Sequence, residues 1–398
     1  TGTKVWITFG EHNMTENIIH LVLAKVPGSP EGTKGISMFI VPKVKINDDG
    51  SLGDNNNVSC ISIEEKLGIH ASPTCVMEYD GSTGYLVGEE NRGLNYMFTM
   101  MNEARVWVGG QGLACASGAL QGASQYARDR VQGRPVGMSK EDAKKSTIID
   151  HADVRRMLMT IKSYVDAMRY LMYDNQLMLD LEYFAEGELK EFGEERCGIL
   201  TPITKAWISD LGVELSSIAI QVYGGMGYVE ETGVAQYLRD SRIAPIYEGT
   251  NGIQALDLVG RKLTMHKGRM LQNFQKEVQS FLNENKDNNE IATFIKPLEN
   301  ALKEVTTSTM WLMQNGMQDP ENALSSATDY LNLMALSSMT YMWARMAKFS
   351  MGKNEPIHKN KIKTGTYFVE KIMPELVMYS KKVQAGKSSM MDMEVAEF

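Results

Sequence analysis

The sequence predicts an α+β fold that is mainly helical, in which an antiparallel β region comes first and a long helical region follows. Two observations support this prediction. Before residue 90 the chain has short runs rich in Val, Ile and aromatic residues, separated by Gly, Pro and Asn, with no helix-length pattern between them. From Leu94 onward, apolar residues recur with the period of an α-helix.

Four strands are predicted in the β region, which we assign to residues 1–90. They are Val5–Phe9, Ile18–Lys25, Ile36–Val41 and Val76–Tyr79. Because no crossover helix connects them, the sheet or barrel that they form should be antiparallel. The polar stretch Asp48–Asn57 is expected to be a turn region.

The first predicted helix is long, from about Leu94 to Arg130, and unusually rich in small residues. Such residues allow a neighbouring helix to approach closely. They are Gly109, Gly110, Gly112, Ala114, Ala116, Gly118 and Ala119.

Two more helices are predicted before residue 262, one from near Asp150 to beyond Tyr170 and one over Thr204–Val222. Gly224 and Gly225 should end the second of these helices, as glycine commonly does. The acidic, glycine-interrupted stretch Glu182–Glu195 between them is expected to be an exposed loop. We assign residues 91–262 to one helical domain.

Residues 263–398 are predicted to form an additional helical bundle, because three or four amphipathic segments follow one another there. These segments are about Met270–Asn285, Ile291–Gln314, Pro320–Ser350 and Thr364–Gln384.

Composition excludes several classes of protein. The formal net charge of -8 argues against a broad nucleic-acid surface, which needs clustered Lys and Arg. No apolar run approaches the roughly 20 residues of a membrane-spanning helix, and no signal peptide is recognisable. The four cysteines lie far apart without a CxxC pair, so we expect buried thiols of a reducing compartment rather than disulfides or a metal site.

Two glycine-rich segments resemble dinucleotide-binding loops only superficially. A Rossmann fingerprint requires a preceding strand and a following helix. The segment Gly225-Met226-Gly227 follows a predicted helix, and Gly110-Gln111-Gly112 lies inside one. No Ser elbow, HExxH or Walker motif is present, and the six histidines are scattered, so His12, His20 and His70 are expected to be structural or surface residues.

The segment Tyr247-Glu248-Gly249-Thr250 places a carboxylate beside a glycine, shortly after Pro245. At a junction between helices, such a carboxylate can project into a cleft while the backbone passes close to a ligand. The same residues are equally consistent with a helix N-terminus and a glutamate in a salt bridge. The segment alone therefore leaves both interpretations open.

The wider sequence resembles the acyl-CoA dehydrogenase family. Its C-terminal signature is matched by Gln221–Tyr228, by Leu238-Arg239-Asp240 and by Ile246–Gln254. Three earlier segments match in family order: Val5–Thr8 the flavin-contacting strand, Lys66–Thr74 the loop before the last strand, and Gly88–Leu94 the entry to the long helix. The C-terminal bundle resembles the extension of larger bacterial members, including those that act on 3-methylmercaptopropionyl-CoA.

The resemblance implies the family fold, an antiparallel β domain followed by a four-helix bundle, with the extra helical domain after it. It also implies bound FAD, in a site that a neighbouring subunit completes. Trp6 would pack on the isoalloxazine, with Ile7 beside it and Thr8 near N5. Thr250 would also contact the flavin. The residues matched to the rest of the cofactor are Arg130 and Gln132 for the partner's diphosphate, and Gln221, Gly224 and Gly225 for the adenosine part.

For the substrate, the resemblance matches Asn102, Glu103 and Arg105 to the helix start that holds the CoA nucleotide, and Gly249 to a backbone position close to the substrate. Glu248 would remove the α-proton of the thioester while hydride passes from the β-carbon to flavin N5, giving the 2-enoyl-CoA. Oriented hydrogen-bond donors would stabilise the enolate-like charge as it develops. No metal is implied.

The resemblance further implies a bacterial, cytoplasmic enzyme of fatty-acid β-oxidation, a homodimer or dimer of dimers that passes electrons to an electron-transferring flavoprotein. Two alternatives in the same superfamily stay open, an acyl-CoA oxidase and a DNA-associated flavoprotein of the alkylation-response type. Residues 352–390 hold eight Lys against three Glu, a modest basic excess for the second alternative.

The family's N-terminal helical domain and the first part of its β domain have no counterpart in this sequence, which begins Thr1-Gly2-Thr3. We therefore expect the chain to be the C-terminal portion of a protein of roughly 600 residues, given a domain size of about 100–200 residues.

Overall fold

A computed structural model describes all residues from Thr1 to Phe398. The chain divides into two compact units, Thr1–Ala104 and Arg105–Phe398, and each is described by itself. The prediction of a mainly helical chain with an antiparallel β region at its start is confirmed. The domain boundaries proposed at residues 90 and 262 stay a prediction.

The first unit contains two three-stranded antiparallel sheets and a two-stranded hairpin. One sheet has the order β1-β7-β6, the other has the order β2-β3-β8, and β4 pairs with β5. The strands are β1 (Gly2–Thr8), β2 (Ile19–Lys25), β3 (Ile36–Pro42), β4 (Val44–Ile46), β5 (Leu52–Asn55), β6 (Val58–Ile63), β7 (Thr74–Tyr79) and β8 (Tyr85–Leu86).

The core of this unit is small, with Val22, Val58 and Met77 among its buried members. His20 lies in it, with Nδ1 2.7 Å from the Tyr79 hydroxyl and Nε2 3.0 Å from the Gly10 carbonyl oxygen. Burial lowers the pKa of His20. This satisfied, buried imidazole confirms the structural role predicted for His20.

All four predicted strands are present, but the prediction of a turn throughout Asp48–Asn57 is wrong in part. Leu52–Asn55 forms β5, which pairs with β4 through a turn closed by the hydrogen bond from Gly50 N–H to the Asn47 carbonyl. Its Gly, Asp and Asn residues have low strand propensity, so pairing with β4 rather than local preference determines the conformation.

The helical unit is dominated by long helices. They are α1 (Gly93–Asp129, which starts in the first unit), α2 (Lys140–Ala143), α3 (Ala152–Phe184), α4 (Gly187–Tyr223), α5 (Val234–Ser241), α6 (Asn251–Asp257), α7 (Arg269–Asn285), α8 (Ala292–Gln318), α9 (Pro320–Ser325), α10 (Ala327–Ser350), α11 (Pro356–Tyr367), α12 (Glu375–Ala385) and α13 (Ser388–Met391). None of the helices combines the length and the hydropathy that a bilayer crossing needs.

The loop expected at Glu182–Glu195 is wrong, although most of this segment is exposed as predicted. Helix α3 continues to Phe184 and α4 begins at Gly187, so only a short turn separates them. Gly193 allows the two helices to pack closely here, because a Cβ at this position would lie 2.7 Å from the Glu182 backbone nitrogen. Glu195, at the end of the segment, is buried and forms an ion pair with Arg269, so exposure fails at this acidic residue.

One hydrophobic core extends through the helical unit, from Val106 on α1 to Val383 on α12. Helix α10 is buried along most of its length and carries Tyr330 and Trp343, both with no exposed surface. The predicted segments after residue 268 are helical. Two of them are subdivided, Pro320–Ser350 into α9 and α10, and Thr364–Gln384 into the end of α11, a π-helical turn at Phe368–Ile372, and α12.

Candidate active site

Glu248 lies in a tight turn between Ala244 and α6, and its backbone adopts a left-handed conformation. Its φ is 56°, and that of Gly249 is 86°. Positive φ is uncommon for a residue with a side chain and costs free energy, which a folded protein tolerates most often at functional positions. The Asn251 N–H closes the turn by donating to the Pro245 carbonyl at 3.0 Å. The Thr250 hydroxyl caps α6 by accepting from the Ile253 N–H at 3.2 Å.

The backbone carbonyl of Glu248 is held by two side chains of the helical unit. Arg105 Nε on α1 donates to it at 3.4 Å, and Gln254 Nε2 on α6 donates to it at 3.4 Å. The Glu248 N–H, in contrast, donates to no acceptor of the chain. The half-buried Glu248 carboxylate makes no ion pair within 4.0 Å. The turn is therefore fixed, while the N–H and the carboxylate stay available to a ligand.

Two buried cationic side chains lie in the surroundings of this turn. Arg105 is 7% exposed and Lys205 on α4 is 0% exposed. Burial lowers the pKa of both groups, that of Lys205 to about 8, and the negative charge of Glu248 opposes the shift in both. Two cationic side chains therefore lie in the surroundings of the Glu248 turn.

Tyr247 connects the same turn to α1. Its hydroxyl donates a hydrogen bond to the Gln111 side-chain oxygen. Burial raises the pKa of Tyr247, and the charge of Glu248 raises it further. The phenol is therefore a neutral hydrogen-bond donor near pH 7, and it fixes the residue that precedes Glu248.

The three residues matched to the CoA nucleotide differ in their surroundings. Asn102 is half-buried and Glu103 is exposed on the part of α1 that belongs to the first unit. Arg105 is buried in the helical unit beside the Glu248 carbonyl. This location gives Arg105 a contact that the sequence did not indicate. The CoA contacts of all three stay a prediction.

The residues matched to the diphosphate and adenosine parts are exposed at helix ends. Arg130 and Gln132 follow the end of α1, both are exposed, and Arg130 makes no ion pair. Gln221 is exposed in the last turn of α4. Gly224 ends α4 with φ 61° and ψ −141°, a conformation that residues with a side chain rarely adopt. A Cβ on Gly224 or Gly225 would meet no atom within 4 Å, so the backbone there is open to a ligand.

In the first unit, Trp6 lies at a β-bulge between β1 and β7. The register shifts between Lys4 and Ile7, and Trp6 has φ 58°. Bulges commonly redirect a side chain next to a functional site. The Trp6 side chain is 74% exposed, while Ile7 is half-buried and Thr8 is exposed.

Comparison with known proteins identifies the family. Residues 91–263 match the model described as "Acyl-CoA dehydrogenase, C-terminal domain", and residues 274–394 match "Acetyl-CoA dehydrogenase C-terminal like". The chain is 41% identical to a 3-methylmercaptopropionyl-CoA dehydrogenase of Ruegeria pomeroyi, over 94% of this chain and 64% of that protein. It is 33% identical to a butyryl-CoA dehydrogenase of Syntrophomonas wolfei, over 98% of this chain and 67% of that protein. The chain belongs to the acyl-CoA dehydrogenase family.

The chain spans about two thirds of the length of these relatives, 64% of the first and 67% of the second. Two solved structures share its fold. A Caenorhabditis elegans protein, ACDH-11, in complex with C11-CoA has a TM-score of 0.77 at 21% identity, covering 92% of this chain and 59% of that one. A Bacillus anthracis acyl-CoA dehydrogenase complexed with FAD has a TM-score of 0.76 at 22% identity, covering 96% of this chain and 62% of that one.

The side chains and backbone of this family member fit FAD. Trp6 offers an uncovered aromatic face, and Arg130 offers an unpaired guanidinium, the group that binds a diphosphate in bidentate geometry. Gly224 and Gly225 leave room for a close approach to the backbone. These donor and contact types match the isoalloxazine, diphosphate and adenosine parts that the resemblance assigned to them.

A cavity of about 990 Å³ in the C-terminal helices contains none of the predicted site residues. Basic side chains line it, but three of them are already paired, Arg345 with Asp174, Lys348 with Glu284 and Lys361 with Asp166. Its charge is therefore largely compensated within the fold.

Sequence reasoning did not single out Lys205 and identified Asn251 and Gln254 only as parts of a motif. One signal for Lys205 was present. The segment Thr204-Lys205-Ala206-Trp207-Ile208 puts a lysine inside an apolar stretch of a predicted helix, and a lysine is almost never fully buried unless it has a partner.

Proposed function

We propose that the protein containing this chain catalyses FAD-dependent α,β-dehydrogenation of an acyl-CoA thioester to the 2-enoyl-CoA, with Glu248 as the base that removes the α-proton. The observation that carries the proposal is the Glu248 turn, in which the carbonyl is held from α1 and α6 while the N–H and the carboxylate are unpaired. A catalytic base requires this combination of a fixed backbone and an available carboxylate.

In this mechanism the Glu248 carboxylate takes the α-proton and keeps it on a carboxyl oxygen. The proton on the α-carbon is very weakly acidic. The negative charge that develops on the thioester oxygen as this proton leaves must therefore be stabilised. The unpaired N–H of Glu248 is suited to donate to that oxygen, and a preorganised donor of this kind is worth about 10²–10³ in rate. Proton acceptor and oxyanion donor then belong to one residue.

Arg105 and Gln254 keep that donor in place. Each of them donates a hydrogen bond of 3.4 Å to the backbone carbonyl oxygen of Glu248. Gly249, with φ 86°, continues the turn at a position where a Cβ would lie 2.9 Å from Gln254 Nε2 and so disturb this contact. When bound, FAD supplies the acceptor for the hydride that leaves the β-carbon.

Three further parts of the proposal rest on family membership. The electrons are expected to pass from the flavin to an electron-transferring flavoprotein, and a second subunit is expected to complete the FAD site. The location is expected to be the bacterial cytoplasm. The two relatives reported above are named for their acyl-CoA thioesters, 3-methylmercaptopropionyl-CoA and butyryl-CoA, which supports an acyl-CoA substrate for this protein.

The variant Glu248→Gln in the full-length, FAD-loaded protein tests the proposal. It preserves side-chain shape and removes the base, so the rate of flavin bleaching by acyl-CoA should fall by about 10²–10⁴. Glu290→Gln, an exposed glutamate of the C-terminal helices, is the matched control and should leave the rate unchanged. Bleaching by Glu248→Gln at the wild-type rate would refute the assignment of the base.

A further inference from the structure

Lys205 is a fully buried charged residue of the helical unit. Its side chain has no exposed surface, and no carboxylate lies within the 4.0 Å of an ion pair. Burying an ammonium group without a carboxylate in direct contact is costly, so the position of this lysine calls for an explanation. The flavin and substrate roles assigned above do not use Lys205.

The ammonium group has a defined hydrogen-bond acceptor, the side chain of Asn251. Lys205 Nζ donates to Asn251 Oδ1 at 2.9 Å, and the Ser209 hydroxyl lies 3.3 Å from the same oxygen. On the other side of the amide, Asn251 Nδ2 donates to the Ala206 carbonyl at 3.0 Å and to Ser209 Oγ at 3.0 Å. One turn of α4 therefore holds both ends of the Asn251 amide.

Asn251 is also the residue at which the Glu248 turn closes. Its backbone N–H donates to the Pro245 carbonyl at 3.0 Å, and it is the first residue of α6. The chain between Pro245 and Asn251 includes both left-handed residues, Glu248 and Gly249. A shift of the Asn251 side chain would move the end of this turn and release strain that it stores.

We propose that Lys205 is a positioning residue for Glu248: its buried ammonium group fixes the Asn251 amide, and the amide ties the turn that carries Glu248 to α4. The proposal rests on the proposed function. It explains why a lysine occupies an interior position where an apolar residue would pack without the cost of a charge. Lys205 does not touch the reacting atoms in this scheme and acts through Asn251.

The first test is hydrogen–deuterium exchange of the amides in residues 246–253, which needs no turnover. Lys205→Met retains most of the side-chain length and removes the charged donor. Exchange in this segment should become about tenfold faster, the factor expected for losing a hydrogen bond to a charged group. Lys190→Met, an exposed lysine on the same helix, should not change it. Unchanged exchange in Lys205→Met would overturn the proposal.

The second test separates positioning from substrate binding. Lys205→Met should lower kcat of the full-length holoenzyme by about tenfold or more and leave KM nearly unchanged, because a displaced base affects the transition state rather than uniform binding. A rise in KM at constant kcat would contradict a positioning role. Asn251→Ala should reproduce the kcat loss through a different substitution, which protects the test if one variant folds poorly.

A double-mutant cycle then decides whether Lys205 acts through Asn251. If it does, Lys205→Met combined with Asn251→Ala should have about the same kcat as Asn251→Ala alone, because the second substitution removes an interaction already lost. Multiplied losses would show independent roles and overturn the proposal.

The outcome for Lys205 and the outcome for the activity can be told apart. If Glu248→Gln kept its activity, the assignment of the base would fail, while faster exchange in Lys205→Met and Asn251→Ala would still support the anchoring of the turn. If Glu248→Gln were inactive and Lys205→Met matched wild type in both kcat and exchange, only the positioning role would fail.

Discussion

Gly112 on α1 and Gly212 on α4 lie in direct backbone contact. A Cβ on Gly212 would be 2.7 Å from Gly112 Cα, and a Cβ on Gly112 would be 2.5 Å from the Ile208 carbonyl oxygen. Both helices carry parts of the Glu248 environment, Arg105 on α1 and Lys205 on α4. Since the obstacles are backbone atoms, this close approach sets the distance between the two helices.

We therefore expect Gly112→Ala to destabilise the protein. Overpacking against backbone costs about 1–3 kcal/mol, and the measurement is the midpoint of urea unfolding. The matched control is Gly110→Ala, two residues away on the same helix. There the new Cβ would meet the flexible end of Met172 at 2.8 Å, which can move aside. Both variants gain the same helix propensity, so their difference isolates the helix contact. Equal stability of the two would refute the close-approach argument.

The contact between α1 and α4 was predicted in part from the sequence. The small residues predicted a close neighbour for the first helix, and the structure places α4 there. The helix bounds agree within one residue at each end, Leu94–Arg130 predicted against Gly93–Asp129 observed. Periodicity and composition are local properties of the chain, so they can be determined from sequence.

The Lys205–Asn251 pair could not be predicted in the same way, because 46 positions separate the two residues in the chain. The same limit explains the failure at Glu182–Glu195, where acidic composition indicated a loop. There Glu195 forms an ion pair with Arg269, and Asn273 Nδ2 donates to its carboxylate at 2.6 Å. Long-range partners, which local patterns do not encode, decided both cases.

Replacing Arg105 distinguishes two roles that sequence and structure suggest. If Arg105 holds the CoA nucleotide, as the family match implies, Arg105→Lys should raise KM. If it acts through the Glu248 carbonyl, to which Nε donates at 3.4 Å, Arg105→Lys should lower kcat by about tenfold with little change in KM. We expect the second result, measured by steady-state kinetics with an artificial electron acceptor.

The control for Arg105→Lys is Arg155→Lys, because Arg155 also donates from Nε to a backbone carbonyl, that of Ile149 at 2.8 Å, but is exposed. Its kinetics should match those of wild type. A KM increase in Arg105→Lys at unchanged kcat would assign Arg105 to CoA binding alone.

Lys205 also makes the free energy of unfolding depend on pH in the alkaline range. Burial lowers its pKa from 10.5 to about 8 in the folded protein, where Asp210, Arg105 and Glu248 are the charges that act on it. Between these two values the unfolded chain binds more protons than the folded one, so stability should rise with pH across this window. Below about pH 8 the full cost of the buried charge is present.

Urea unfolding of wild type and Lys205→Met between pH 7.5 and 10.5 measures this effect, since other titrating groups are common to both. The stability of wild type relative to Lys205→Met should increase by about 3 kcal/mol over that range, from a shift of roughly two to three pKa units. At pH 7 the variant should be at least as stable as wild type, even though its activity is reduced. A constant difference across the range would mean that Lys205 is not a buried cation.

Trp6 is predicted to contact the cofactor rather than the catalytic base. Its side chain is 74% exposed at a bulge, so Trp6→Ala should leave the stability of the apoprotein unchanged. Loss of a stacking partner should weaken FAD binding by about tenfold, from an aromatic contact of about 1–1.5 kcal/mol, and Trp6→Phe should restore part of it. Tyr85→Ala, another exposed aromatic of the first unit, should bind FAD like wild type. Titration of the full-length apoprotein with FAD measures these affinities. Equal affinity in Trp6→Ala and wild type would remove Trp6 from the flavin site.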